Sequence, residues 1–239
     1  MKRKIITTSD GSKTIQIEDW NEQYHSIHGA IQEANHVFIK HGLLFYFQSC
    51  HPELLPVRQT GDSGSHPINI LEIGFGTGLN AFLTFLKAEE FQQSINYVGV
   101  EAYPVKTEEI QQLNYVELIS KQHKAEFEKM HMVSWEEQHD ISATFSLEKQ
   151  EKFFKDITNQ KHFDIIYFDA FGARVQPELW TEDIFKIMYK ALKDNGILVT
   201  YSAKGSVRRA MQAVGFTVER LPGPPGKREM LRATKHSVK

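Results

Sequence analysis

From residue 68 onward, short apolar runs alternate with stretches of helical spacing. Ile68-Asn69-Ile70-Leu71-Glu72-Ile73 predicts a strand, residues 79–90 a helix, and Ile95-Asn96-Tyr97-Val98-Gly99-Val100-Glu101 a second strand. Helical spacing then covers residues 107–130. Residues 144–149 predict a third strand, 163–168 a fourth, 182–192 a helix, 196–201 a fifth strand and 205–214 a helix. Two last runs, 216–221 and 228–233, flank Pro222-Gly223-Pro224-Pro225-Gly226 and predict a closing hairpin. Strands that alternate with helices predict a mostly parallel, doubly wound α/β sheet covered on both faces, and the hairpin adds an antiparallel edge.

Upstream the pattern is different. Residues 1–24 are β-rich, with Lys13-Thr14-Ile15-Gln16-Ile17 alternating beside the turn signal Asp10-Gly11-Ser12. Residues 28–40 carry Ala30, Ile31, Ala34, Val37 and Phe38 at helical spacing. Residues 52–67 contain three prolines together with Gly61 and Gly64, and predict a loop. The expected organisation is an N-terminal cap over residues 1–60 and a main domain over 61–239.

Composition narrows the setting. A chain of 239 residues with 41% hydrophobic content is long enough to bury a substantial core. Its single cysteine, Cys50, has no internal disulfide partner, and the Met1-Lys2-Arg3-Lys4 start is not followed by an apolar signal segment. No apolar run approaches the roughly 20 residues that span a bilayer. A soluble, cytoplasmic protein without a membrane partner is expected, and a monomer is the default. Net charge is −2, but residues 201–239 carry +7 and the rest of the chain −9. This asymmetry suits a nucleic-acid face on an otherwise acidic protein, and equally a solvated basic tail.

The candidate chemistry starts at the turn after the first predicted strand of the main domain. Gly74, Gly76 and Gly78 let the backbone approach a ligand where open α/β sheets bind one, at the carboxyl ends of the strands. The glycines alone suit a nicotinamide dehydrogenase as well. Glu72 tilts the choice, because a carboxylate beside the turn disfavours a pyrophosphate and favours the cationic S-adenosyl-L-methionine. Glu101, ending the second strand, is placed to accept from ribose hydroxyls in either case. Asp169 ends the fourth strand, where this topology faces the methyl donor. It is the candidate for holding or deprotonating an amine nucleophile. The fold expected is thus Rossmann-like, of the class I S-adenosylmethionine-dependent methyltransferase type.

At these same residues the sequence resembles the MnmC family. The resemblance runs through Glu72-Ile73-Gly74-Phe75-Gly76-Thr77-Gly78-Leu79-Asn80, Phe168-Asp169-Ala170-Phe171, Gln176-Pro177-Glu178-Leu179-Trp180-Thr181 and Tyr201-Ser202-Ala203-Lys204-Gly205. It continues through Arg208-Arg209 to Gly226-Lys227-Arg228-Glu229-Met230, with Tyr24-His25-Ser26, His28-Gly29-Ala30 and His36-Val37-Phe38 upstream. It implies methylation of the primary amine of 5-aminomethyl-2-thiouridine at tRNA wobble position 34, with S-adenosyl-L-methionine as cofactor, Asp169 catalytic, and Glu72, Gly74, Gly76, Gly78, Asn80 and Glu101 holding the cofactor. Family members often carry a second, FAD-dependent oxidase domain. This chain stops short of one, so a stand-alone methyltransferase without flavin is expected. Two departures stand out. The family's Asp-Gly-Phe is Asp169-Ala170-Phe171, and the Gly-Asp that often contacts adenine after the third strand has no counterpart in Leu147-Glu148-Lys149-Gln150-Glu151.

The partner implied is the tRNA anticodon stem-loop. Lys204, Arg208, Arg209, Lys227 and Arg228 are candidate phosphate contacts, with Lys204 and Arg208 on one helical face. Phe171, Trp180 and Tyr201 are candidates for stacking on a splayed base, against ordinary core packing. His25 and His28 have no third ligand at metal-site spacing, so no metal is expected. Two rival functions share these features. One is an aminopropyltransferase of the spermidine-synthase type acting on a small amine, and the other is a non-catalytic tRNA-binding module.

Overall fold

The computed structural model describes residues 2–50 and 66–237. The loop expected over 52–67, the domain boundary at 60/61, the Cys50 side chain and Lys239 fall wholly or largely outside the described residues.

The N-terminal residues form a small antiparallel sheet of β1 (Arg3–Thr7), β2 (Lys13–Ile17) and β3 (Glu22–Gln23), with Ile5 opposite Ile15. The connecting turn closes where predicted: Gly11 takes φ +81°, and Asp10 accepts from the Ser12 amide at 3.1 Å. Helix α1 (Ala30–Ala34) continues through a π-helical stretch, Asn35–Leu44, into α2 (Phe45–Cys50). This helical body lies directly on the main sheet. Phe38 packs at 5.2 Å from Tyr167, and Gly42 sits where a Cβ would stand 3.1 Å from both Tyr167 and Val199. The N-terminal segment therefore shares the main core.

The main sheet contains β4 (Ile68–Ile73), β5 (Ile95–Glu101), β6 (Gln138–Asp140), β7 (Phe145–Glu151), β8 (Phe163–Phe168), β9 (Leu192–Thr200), β10 (Thr217–Pro222) and β11 (Glu229–Thr234). Its order is β10-β11-β9-β8-β4-β5-β7-β6. The central strands β9, β8, β4, β5 and β7 run parallel, while β11 and β6 are antiparallel to their neighbours. Near-continuous apolar runs such as Phe163–Phe168 are buried throughout, because helices cover both faces. One face holds the helical body of residues 30–50 and α3 (Leu79–Phe91), with Phe82, Phe85, Tyr97 and Tyr167. The other holds α7 (Glu182–Ala191) and α8 (Gly205–Ala213), with Phe168, Phe185, Met188 and Met211.

Several elements depart from the sequence pattern: the helix expected over 28–40 runs on to Cys50, and the strand expected over 196–201 starts at Leu192. Helical spacing over 107–130 becomes α4 (Thr107–Ile110), α5 (Tyr115–Ile119) and α6 (Lys124–Met132). The first break lies at Asn114, whose side chain accepts from Lys13 N–H at 2.8 Å and donates to the Gly11 carbonyl at 3.0 Å. A tertiary tie to the β1–β2 turn thus overrides local helix propensity. Strand β6 was not expected, since its residues are polar and its pairing is with β7 alone. Strand β7 runs to Glu151, two residues beyond the expectation.

Candidate active site

The turn from β4 into α3 is stitched across the strand ends. Gly74 and Phe75 donate their amides to the Val100 carbonyl at 2.9 and 3.1 Å, and Asp169 donates its amide to Ile73 at 2.9 Å. Gly74, Gly76 and Gly78 take φ of +90°, +50° and +72°, which glycine adopts without steric cost. Close approach adds to the demand: a Cβ on Gly74 would stand 2.8 Å from the Asp169 carbonyl oxygen, and one on Gly78 would stand 2.9 Å from the His131 ring.

Asn80, at the start of α3, joins the two predicted acids. Its amide nitrogen donates to Glu72 Oε1 at 2.8 Å and to Asp169 Oδ2 at 2.9 Å. Glu72 and Asn80 are 1% and 2% exposed. Burial pushes the Glu72 carboxyl well above the usual carboxylate range, and the neighbouring Asp169 adds to the shift. Asp169 is raised to about 7, by burial first and then by the charge of Glu33. Glu101, ending β5, accepts from the Gly76 amide at 3.1 Å and from the Tyr103 amide at 3.0 Å. A carboxylate offers about four lone-pair positions, so these backbone donors leave it capacity to accept from a ligand hydroxyl.

Glu72, Gly74, Gly76, Glu101 and Asp169 line a cleft of about 780 Å³, within the size range of small-molecule sites, whereas Gly78 and Asn80 lie behind its wall. Its walls include residues to which the sequence assigned no role. The N-terminal segment contributes Trp20, Glu22, Tyr24 and Glu33, and the chain beyond β7 contributes Phe153, Phe154 and Lys155. Leu147 to Glu151, read above as the segment after the third strand, is the strand itself. The cleft is lined two residues later.

The predicted aromatic and basic residues separate into groups. Phe171 lines the cleft, edge-on to Tyr24 at 4.9 Å and to Trp20 at 5.6 Å. Trp180 does not line it: this residue is 5% exposed, packs between Phe168 and Phe185, and donates its indole N–H to the Phe171 carbonyl at 2.8 Å. Its position supports Phe171 and leaves no free face for a base. Tyr201 lines the cleft and donates its hydroxyl to the Ala170 carbonyl at 2.8 Å. Lys227 is drawn inside, ion-paired with the buried Glu33 and 3.8 Å from the centre of the Tyr201 ring. Lys204, Arg209 and Arg228 are exposed and Arg208 is half-buried, and no ion pair engages any of the four among the described residues. Other C-terminal cations are structural. Arg232 pairs with Glu219 at 2.7 Å, and Lys235 donates to the Leu192 carbonyl at 2.7 Å. His25 is half-buried and lines the cleft, its Nδ1 3.2 Å from the Thr14 hydroxyl.

Residues 108–236 match the model of a family described as S-adenosyl-L-methionine-dependent methyltransferase. The chain belongs to that family. The methyltransferase is also similar to the tRNA 5-methylaminomethyl-2-thiouridine biosynthesis bifunctional proteins MnmC of Cupriavidus metallidurans and Hydrogenovibrio crunogenus. Identity is 26% over 94% of this chain with the first and 25% over 96% with the second, and 33% of each relative is covered. The chain spans about a third of the length of these curated relatives. Among solved structures, MnmC2 from Aquifex aeolicus matches 99% of this chain and 71% of its own, with a TM-score of 0.73 and 24% identity. Spermidine synthase from Thermotoga maritima matches 100% and 75%, with a TM-score of 0.53 and 15% identity. Both likenesses are of fold, and they agree with the mostly parallel sheet of the class I methyltransferases. Among the described residues no helix is long and apolar enough to cross a membrane.

The cleft fits the cofactor of this family. Glu72 and Glu101 place two acids at the cleft wall, a lining suited to a cationic ligand that carries hydroxyls. Gly74 and Gly76 line the cleft, where a Cβ would stand 2.8 Å from the Asp169 carbonyl oxygen and 3.0 Å from the Tyr24 ring, respectively.

Proposed function

We propose that this methyltransferase modifies the exocyclic amine of 5-aminomethyl-2-thiouridine at the wobble position of tRNA, producing 5-methylaminomethyl-2-thiouridine. The MnmC relatives are tRNA 5-methylaminomethyl-2-thiouridine biosynthesis proteins, which suggests the tRNA substrate class, and their likeness extends over nearly all of this chain. The observation that carries the reading is the Asn80 bridge: one amide ties an acid of the glycine turn to an acid at the neighbouring strand end. A donor-side and an acceptor-side carboxylate are thereby held in one fixed relation.

In this reading Glu72 and the backbone of Gly74 and Gly76 hold the donor, Asn80 fixes Glu72 from behind, Gly78 shapes the turn, and Glu101 receives the ribose hydroxyls. Tyr103 and Phe153, edge-on to each other at 6.1 Å near the ends of β5 and β7, offer apolar surface for the adenine. S-adenosyl-L-methionine, when bound, supplies an electrophilic methyl group. Asp169 accepts a proton from the incoming ammonium at a carboxylate oxygen and orients the freed nitrogen lone pair. Its raised pKa keeps proton transfer close to balance near neutrality. Phe171 and Tyr201 border the place where a flipped base would sit, and a target nucleotide must leave its stack to reach such a cleft. Lys204, Arg208, Arg209 and Arg228 are the surface cations assigned to tRNA phosphates.

A second reading, amine transfer of the polyamine type, is favoured by the acidity of the cleft, whose lining carries seven carboxylates and three Lys or Arg side chains. Offering methyl-labelled S-adenosyl-L-methionine with tRNA, and decarboxylated S-adenosylmethionine labelled in its aminopropyl group with putrescine, separates the two readings. Label in tRNA alone supports the first, and turnover of putrescine with decarboxylated S-adenosylmethionine supports the second.

A further inference from the structure

Lys227 is the residue whose position departs most from its role as a phosphate contact. It lies in the loop between β10 and β11, yet its ammonium is ion-paired with Glu33, 194 residues away in α1. The face of the Tyr201 ring covers it at 3.8 Å. Glu33 is 6% exposed, and its other oxygen accepts from the Ser26 amide at 2.9 Å, so the carboxylate is fixed from both sides. Tyr201 in turn donates to the carbonyl of Ala170, the residue after Asp169. Glu33, Lys227, Tyr201 and Asp169 all line the same cleft. Both members of the ion pair act on the ionisation of Asp169, Glu33 raising its pKa and Lys227 lowering it. The pair is therefore within electrostatic reach of the acceptor site.

An unpaired ammonium in such a wall attracts anionic substituents and repels cationic ones, and the effect is strong where water is excluded. Paired with a buried carboxylate, the same ammonium presents only a dipole. Carboxylates then dominate the lining, all the more because Arg3 is also paired, with Glu109 at 3.0 Å.

We propose that Glu33 is a specificity-determining residue: by holding Lys227 against Tyr201 it cancels that charge, so the acceptor half of the cleft admits a cationic amine and rejects a carboxylate at the same position. This rests on the tRNA reading above and adds to it a device that discriminates by charge.

The test uses the full chain and two synthetic anticodon hairpins, identical except that the wobble uridine carries a 5-aminomethyl or a 5-carboxymethyl group. The wild type is expected to bind the aminomethyl hairpin about tenfold more tightly or better. Glu33→Gln, which keeps an acceptor for Ser26, is expected to shrink that ratio to about threefold or less by exposing the Lys227 charge. Lys227→Met removes the charge itself and is expected to keep at least the wild-type ratio. A role in packing alone would lower the ratio in both variants. An unchanged ratio in Glu33→Gln, or a loss of discrimination in Lys227→Met, overturns the inference. Methyl transfer by the wild type to the aminomethyl hairpin is scored in parallel. Its absence overturns the tRNA reading and this inference together, whereas transfer with an unchanged ratio overturns the inference alone.

Discussion

Gly74 lies so close to Asp169 that a Cβ on it would stand 2.8 Å from the Asp169 carbonyl oxygen. The turn proposed to cradle the donor and the strand end that carries Asp169 thus pack backbone against backbone. Gly74→Ala therefore has two penalties, a side chain at φ +90° and a clash with main chain that has no rotamer to yield. The expected outcome is destabilisation by about 1–3 kcal/mol together with loss of S-adenosylhomocysteine binding. Thermal unfolding and calorimetry measure the two effects.

Asp169→Asn preserves an acceptor for Asn80 and removes the base. Methyl transfer is expected to fall by about 10²–10⁴-fold, with cofactor affinity nearly unchanged. Stability should move the other way. The Asp169 pKa is raised from 3.8 to about 7, so its protonated form contributes stability that is present at low pH and lost as pH rises between those values. At pH 8 the variant is expected to unfold at a temperature roughly 2–4 °C higher than the wild type. Equal transfer rates in the two proteins would remove Asp169 from the chemistry.

The same pKa sets the acidic limb of the rate profile. A base must be ionised to accept a proton, so kcat/KM is expected to rise with pH through about 7. A limb near 4, the range of an ordinary carboxylate, would mean that the acid acting is in a different environment.

Asn80→Ala leaves Glu72 and Asp169 without their shared donor. Because Asn80 and Glu72 are almost wholly buried, the expected cost is about 1–3 kcal/mol of stability. Cofactor affinity and transfer rate should both fall, since the bridge serves both halves of the cleft. A loss confined to one of them would assign Asn80 to that half alone.

Much of the fold was legible in the sequence, for identifiable reasons. The parallel strands around Ile70, Tyr97 and Ile165 are buried on both faces and read as apolar runs, and their glycine turn and terminal acids sit at the ends that the alternation predicts. The rest depended on distant contacts. Asn114 breaks a helix because it bonds to residues 11 and 13, and nothing near residue 114 announces that. Lys227 looks like one more surface cation until Glu33, remote in sequence, draws it into the cleft. Trp180 and Phe171 are both aromatic residues near the same acid, and only packing makes one a support and the other part of the wall. The polar strand Gln138–Asp140 has no apolar face to reveal it.

The surface cations make a separable prediction. Lys204→Ala combined with Arg228→Ala is expected to weaken tRNA binding and to reduce the magnitude of its log–log salt slope by about two, leaving cofactor affinity unchanged. Lys227→Ala should leave the salt slope almost unaltered, because its charge is already paired with Glu33. A full unit lost with Lys227→Ala would place that ammonium on a phosphate.

The central claim is tested most directly by incubating the purified chain with methyl-labelled S-adenosyl-L-methionine and tRNA bearing 5-aminomethyl-2-thiouridine, then resolving the digested nucleosides by mass spectrometry. The account predicts label in 5-methylaminomethyl-2-thiouridine at the wobble position and in no other nucleoside. Label in a different nucleoside, or none in tRNA from protein that binds the cofactor, would contradict it.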